Sequence, residues 1–293
     1  MIFPASHFPA FGQVAESGSS FLLDTYSGAL GAYSIARRLS TSYTGALIRI
    51  RRSTDNVEQD IGYDGSGNLD TAAITTFIGA NSAFLVTRYD QSGSGNHQTQ
   101  ATAARQPRIV NAGTLETQNG KPSANYALGI AGLITTTGNF MPNNTPTAHF
   151  SVQSSNGAIG IRYPTVFAIS TGSTNAYSCA QRVSSLSCTQ GRTGAADVIM
   201  TNVTFSSALS ALSITTLGNV SGTITSVSQL NNGTSGTVSL GSYPTQLVGM
   251  QSGFERLDAW WNGFISEDIH YTQDMVSVRT GVSSNQIAYY GIT

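Results

Sequence analysis

Charge is what this sequence has least of. Among 293 residues only 14 are basic and 15 acidic, and a single lysine, Lys121, stands among the basic ones. Charged residues make up 10% of the chain, where soluble proteins carry about a quarter, so solvation falls to hydroxyls and amides, with 38 Ser and 34 Thr. A formal net charge of −1 supplies no broad field to attract DNA, RNA or an anionic membrane, so no nucleic-acid partner is expected. No apolar run approaches the roughly 18 residues that span a bilayer, which argues against membrane insertion. The opening Met1-Ile-Phe-Pro-Ala-Ser-His-Phe-Pro-Ala lacks the basic and continuous apolar regions of a secretory signal, so a signal was either removed or never used. Cysteine is confined to Cys179 and Cys188, nine residues apart in a hairpin-like stretch; a bridge is sterically feasible there, and both the bridged and the free state stay open. The four histidines, at 7, 97, 149 and 270, are scattered, with no HExxH or Cys/His pairing. Walker loops and Gly-x-Ser-x-Gly elbows are missing too, so neither a metal nor another cofactor is expected.

What is present is apolar and aromatic material, 40% and 9% of residues, enough for a real core. Residues 1–20 combine Phe3, Phe8 and Phe11 with a Ser17-Gly18-Ser19-Ser20 hinge, and read either as a frayed end or as an arm that docks on a neighbouring subunit or partner. The arm reading divides the chain into 1–20 and one domain over 21–293. After it, Leu30, Tyr33, Ala36 and Arg37 recur at helical spacing with Asp24 as a cap, which predicts a short helix. Ala46 to Arg52 alternates Ile48 and Ile50 with Arg49 and Arg51, the period of a half-buried strand, its arginines facing Asp55, Glu58 and Asp60. Asp70 to Gly79 begins with a capping residue and ends with glycine, a second short helix. From about 106 to 250, short β-branched or aromatic runs alternate with Asn-Gly and Gly-rich turns, which predicts an all-β antiparallel sandwich or jelly roll with a few short helices. Thr272 to Arg279 is a further candidate helix.

Several constellations could carry chemistry. Asp64-Gly-Ser-Gly-Asn-Leu-Asp70 places oxygens at alternate positions, but Thr75 stands where a calcium loop needs its bidentate Glu, so an Asx-type turn is expected. Glycoside hydrolysis needs two carboxyls about 5 Å apart for retention or about 6.5 to 9.5 Å apart for inversion. Only Glu116 and Asp197 lie between residues 91 and 254, which leaves few acids to face one another. In the loop Tyr89-Asp-Gln-Ser-Gly-Ser-Gly-Asn96, the side chains of Asp90, Ser92 and Asn96 are suited to backbone N–H groups while Gly93 and Gly95 take positive φ, so Tyr89, Asp90, Gln91, Ser92, Gly93, Gly95 and Asn96 are read as a structural loop. Trp260, Trp261 and Asn262 are the candidate ligand contacts: neighbouring residues on a strand face opposite ways, so one indole can be core and the other free to stack on a sugar or a partner.

The Tyr89–Gln100 loop, of the form YDQSGxGNxxTQ, resembles the catalytic sandwich of the alpha-L-arabinofuranosidase B family. Ser42-Tyr-Thr-Gly-Ala-Leu-Ile-Arg-Ile-Arg-Arg-Ser-Thr-Asp55, Gly120-Lys-Pro-Ser-Ala124 and the closing Trp261-Asn-Gly-Phe-Ile-Ser-Glu267 are similar to further segments of that family. The same block, opened by Leu22-Leu-Asp-Thr-Tyr-Ser-Gly-Ala-Leu-Gly-Ala-Tyr-Ser34, also resembles bacteriophage virion proteins with a concanavalin A-like sandwich. The enzyme resemblance implies a nucleophilic Glu in an A-D-L-E-x-G-L-like strand, yet residues 150–200 hold no Glu. It also implies an acid/base Asp in a G-G-D-N-S-N-G-like loop, where this chain has only Glu255 and Asp258 as substitutes. From these departures the expectation is a concanavalin A-like sandwich without catalysis: a virion component of the tail, fibre or head decoration, assembled in the host cytoplasm. Its expected partners are other virion proteins, further copies of itself and a host surface glycan. The alternative is an arabinofuranosidase-like hydrolase using Glu255 and Asp258.

Overall fold

The computed structural model describes residues 21–126, 131–135, 145–156, 162–168, 176–181, 187–193, 196–204, 208–220, 223–241, 250–252 and 261–293. One layer is built around the closing strand Gly263–Tyr271. The opening strand Ala29–Ser34 pairs on one side of it and Thr147–Ser155 on the other. Ser210–Val220, Thr223–Leu230 and Gly236–Gly241 extend this layer outward, every pairing antiparallel. Gly263 has to be glycine, because a Cβ there would stand 2.0 Å from the Ser154 carbonyl oxygen of the adjoining strand.

A second layer runs Glu58–Ile61, Ile48–Arg52 and Ala83–Arg88, the last pairing with both Gln98–Thr99 and Arg108–Asn111. Through Leu133–Thr135 and Met250–Ser252 it continues into Arg162–Ala168 and Ala176–Gln181. Ala124–Asn125 bonds to Arg108 and to the closing strand, so the two layers are joined at that corner. The result is the antiparallel β-sandwich that the strand pattern predicts. Two of the guanidiniums on Ile48–Arg52 meet local acids, Arg49 to Asp60 at 2.7 Å and Arg52 to Asp55 at 2.6 Å, and such exposed pairs stabilise little, while Arg51 donates to the Gln106 and Asn56 side-chain oxygens.

Among the described residues, three α-helices accompany the sheets: α1 (Leu22–Thr25), α2 (Thr71–Ile78) and α3 (Arg279–Tyr290). Asp70 caps α2 by accepting from the Ala73 N–H at 2.9 Å, Ile74 and Ile78 face the core, and Gly79 ends the helix at φ 59°. Asp64 Oδ1 accepts from the Ser66 and Asn68 N–H groups, an Asx turn that closes the preceding loop. The segment expected as a helix around Tyr33 is instead the opening strand. Both its faces are buried, so it shows no alternation, and pairing along the closing strand outweighs the accidental helical spacing. The last helix starts at Arg279, where the sequence-based reading ended it, and Val282, Gln286 and Tyr290 form its buried stripe.

Ile48, Ile50, Leu85, Ile109, Trp261 and Ile265 lie in the main apolar core, and Phe150, Ile269 and Val282 in a second one beneath α3. Between these apolar parts the sandwich encloses buried charge, Arg37 with Glu267 and Arg88 with Asp268.

Candidate functional site

Adjacent residues of a strand face opposite ways, and on the closing strand these are two fully buried acids, Glu267 and Asp268. Glu267 faces α3. Arg37 grips both its oxygens at 2.9 Å, and Gln286 and the Tyr290 hydroxyl each donate to it at 3.2 Å. Asp268 faces the other layer and meets the completely buried Arg88 at 2.5 Å. Gln98 Oε1 accepts from the same guanidinium at 2.6 and 3.1 Å, and the Tyr33 ring lies 5.3 Å from its centre. Burial drives the phenols of Tyr33 and Tyr126, both beside this cluster, above the usual range.

His149 stands 3.7 Å from Asp268. That carboxylate would ordinarily favour an imidazolium, but Arg88 already matches its charge. Burial first, and the nearby Arg88 second, push His149 down to about 3, so it is neutral at ordinary pH.

Beside this cluster sits the Tyr89–Asn96 loop. Asp90 is buried and accepts four bonds: from the Ala32 and Ser92 N–H groups at 2.9 Å, from the Ser92 hydroxyl at 2.9 Å and from the Asn96 N–H at 3.0 Å. Gly93 and Gly95 have φ of 89° and 76°. Gln91 accepts from the Leu39 N–H at 2.7 Å and donates to the Arg37 carbonyl at 3.2 Å, while Asn96 donates to the Leu30 carbonyl at 2.8 Å. These bonds staple the loop to the opening strand and to the turn after it, fixing Arg37 above Glu267. Tyr89 donates to Asp60 at 2.7 Å; burial, then that carboxylate, push its phenol up to about 12. Replacing Asp90 with Asn removes the charge from four hydrogen bonds and turns two acceptor sites into a donor amide. A loss of about 1–3 kcal/mol is expected, read from the midpoint of urea unfolding.

None of these acids is arranged to break a glycosidic bond. Glu267 and Asp268 point apart and each is tied to arginine. Asp24, Asp55, Asp60, Asp64, Asp70, Asp90, Glu116 and Asp274 accept from backbone N–H groups or pair with arginines. Glu58 is exposed on its strand. Asp197 falls on the strand Ala196–Thr204, of which only the backbone course is described. Glu255, Asp258 and Trp260 lie outside the described residues, as do Phe3, Phe8 and Phe11 of the arm. Asn262 is half-buried, and its carbonyl accepts from the Asn156 N–H at 2.9 Å. Trp261 is corrected by the structure: at 1% exposure it packs in the main core and cannot stack on a ligand, because the chain just ahead of the closing strand turns its side chain inward. Sequence reasoning passed over Arg88 and His149, whose neighbours carry no sign that charge is buried there.

Residues 24–219 match the family described as alpha-L-arabinofuranosidase B, catalytic. An alpha-L-arabinofuranosidase B of Aspergillus oryzae is 44% identical over 73 residues, 25% of this chain and 14% of that protein. An alpha-L-arabinofuranosidase of Hypocrea jecorina is 38% identical over 72 residues, again 25% of this chain and 14% of its relative. The chain thus spans only a small part of the curated relatives it matches. Among solved structures, an arabinofuranosidase soaked with a cyclic sulfate inhibitor superposes with a TM-score of 0.64 at 18% identity, over 91% of this chain and 64% of that one. Another, complexed with arabinofuranosyl-alpha-1,2-xylobiose, gives 0.64 at 17% identity over the same shares.

These matches overturn the expectation of a non-catalytic bacteriophage virion component assembled in a host cytoplasm. The matched model is that of a catalytic domain, and the relatives named are fungal arabinofuranosidases. The expectation rested on two motif spellings beyond residue 125, and at 18% overall identity to a solved enzyme a missing letter does not exclude an acid supplied from another position.

Proposed function

Because the chain belongs to the alpha-L-arabinofuranosidase B catalytic family, we propose that it is a glycoside hydrolase acting on alpha-L-arabinofuranosyl linkages of a polysaccharide. The observation that carries this reading is the family match over 24–219, which is two thirds of the chain and includes every strand of the second layer except Met250–Ser252. Fold alone does not select a reaction.

The chemistry asks for two carboxyls flanking one bond: an acid to protonate the leaving oxygen, and a second carboxylate to attack the sugar or activate water. With most of the described acids held in structural contacts and Glu58 on an exposed strand, we draw the candidate pair from Asp197, Glu255 and Asp258. Glu255 and Asp258 are close in sequence on the approach to the closing strand, and Asp197 is the sole acid between residues 150 and 200. With Trp261 buried, we assign the stacking role on the sugar to Trp260. The two arginine–carboxylate pairs anchor the closing strand, which follows Glu255 and Asp258 in the chain.

The test is release of 4-nitrophenol from 4-nitrophenyl alpha-L-arabinofuranoside by the full chain and by Asp197→Asn, Glu255→Gln and Asp258→Asn. Turnover by the parent, with a loss on the order of 10²- to 10⁴-fold in two of the three variants, is the expected result. Binding of arabinosides without any release, or turnover that all three variants keep, would overturn the proposal.

A further inference from the structure

We infer that the cavity between α3 and the Ser66–Asn68 turn is a binding site for a carboxylate-bearing sugar, a uronate. The cavity holds about 370 Å³, within the range of small-molecule sites, and is bounded by Phe21, Arg37, Arg38, Asn68, Asn285 and Tyr289. No carboxylate lines it among the described residues.

Its two guanidiniums differ in state. Arg37 is matched by Glu267 on both oxygens. Arg38 donates only to the backbone carbonyls of Ser40 and Thr41, which carry no net charge, and among the described residues no acid reaches ion-pair distance of it. The rings of Phe21 and Tyr63 lie 5.0 and 4.9 Å from this guanidinium. A cation fixed in this way, with Nη1 left over, is organised in advance for an anion.

The neutral groups add direction. Asn285 Oδ1 accepts from Arg37 at 2.8 Å, and Asn68 Oδ1 accepts from the Tyr289 hydroxyl at 2.8 Å. Both amides have therefore committed their acceptor and keep their NH₂ donors. A cavity rich in donors, poor in acceptors and holding one unmatched cation calls for a ligand with a carboxylate and several oxygen acceptors. Leu22 and Ala288 supply the apolar wall against which a sugar ring's C–H face can lie. The carboxylate part of the inference stands on this geometry alone; the sugar part rests on the hydrolase reading.

The experiment is calorimetric titration of the full chain with sodium D-glucuronate, D-glucose and sodium acetate, repeated on Arg38→Gln and Ala288→Trp. Ala288 is exposed on α3, so the tryptophan fills the cavity without entering the core. Saturable glucuronate binding is expected, with glucose and acetate weaker on the order of tenfold and with a similar loss in both variants. Glucose or acetate binding as tightly as glucuronate, or glucuronate binding unchanged in Ala288→Trp, would overturn the proposal. Arabinofuranoside turnover is measured on the same samples: glucuronate bound without turnover sinks only the hydrolase reading, and turnover without glucuronate binding sinks only this site.

Discussion

Replacing Asp268 with Asn is expected to cost about 3–5 kcal/mol of folding stability, because it leaves the Arg88 guanidinium inside the sandwich without its carboxylate. Both side chains are fully buried, so water cannot take over the lost interaction. Gln98 and the Tyr33 ring orient the guanidinium but carry no opposite charge. The double variant Arg88→Met, Asp268→Leu should recover most of the loss, since a buried ion pair returns little beyond its own desolvation. Urea midpoints of parent, single and double variants check this. A single-variant loss below about 1 kcal/mol would mean that the cluster is wet.

The second large effect is a dependence of stability on pH. His149 has a folded-state value of about 3 against 6.5 for the free side chain. The groups facing it are Arg88, Asp268 and His270, the last with ring centres 6.0 Å apart. Its folded value is depressed, so the neutral imidazole's contribution is complete above pH 6.5. Below that the unfolded chain takes up the proton and the folded one does not, and stability falls by roughly 1 kcal/mol per pH unit down to about pH 3. Carboxylates held low by partners, such as Asp60 hydrogen-bonded to Arg49, add their share only near and below their ordinary value of 3.8. Between pH 6.5 and about 4, His149 therefore adds a slope of this sign. Thermal midpoints of the parent should decline across that window, and those of His149→Asn should decline less steeply there.

Parts of this architecture are legible in the sequence because their causes are local. Asp70 and Gly79 mark the two ends of α2, alternation marks Ile48–Arg52, and the spacing of Asp90, Ser92, Gly93, Gly95 and Asn96 already describes a loop that bonds to backbone. The opening strand is illegible for the opposite reason: its partner lies more than 200 residues away, and burial on both faces erases the alternation that would have marked it. α3 is hidden by its own composition, with no side-chain cap, Gly281 in its first turn and several polar residues along it. The polar cluster is hardest to read. Arg88 and Asp268 are 180 residues apart, and nothing near either shows that they meet in the interior. As for the site, the sequence names Glu255, Asp258 and Trp260, but it does not mark the indole of Trp261 as buried, because that depends on how the chain runs into the closing strand.

The pairing of Ala29–Ser34 with Gly263–Tyr271 has a consequence for how the molecule comes into being. On the ribosome the opening strand emerges early and waits, one hydrogen-bonding edge unoccupied, until residue 271 has cleared the exit tunnel. Sequestration by a holdase or a slow, late collapse follows from such a long wait, and a nascent chain halted before that residue is a template for clumping rather than a smaller folded unit.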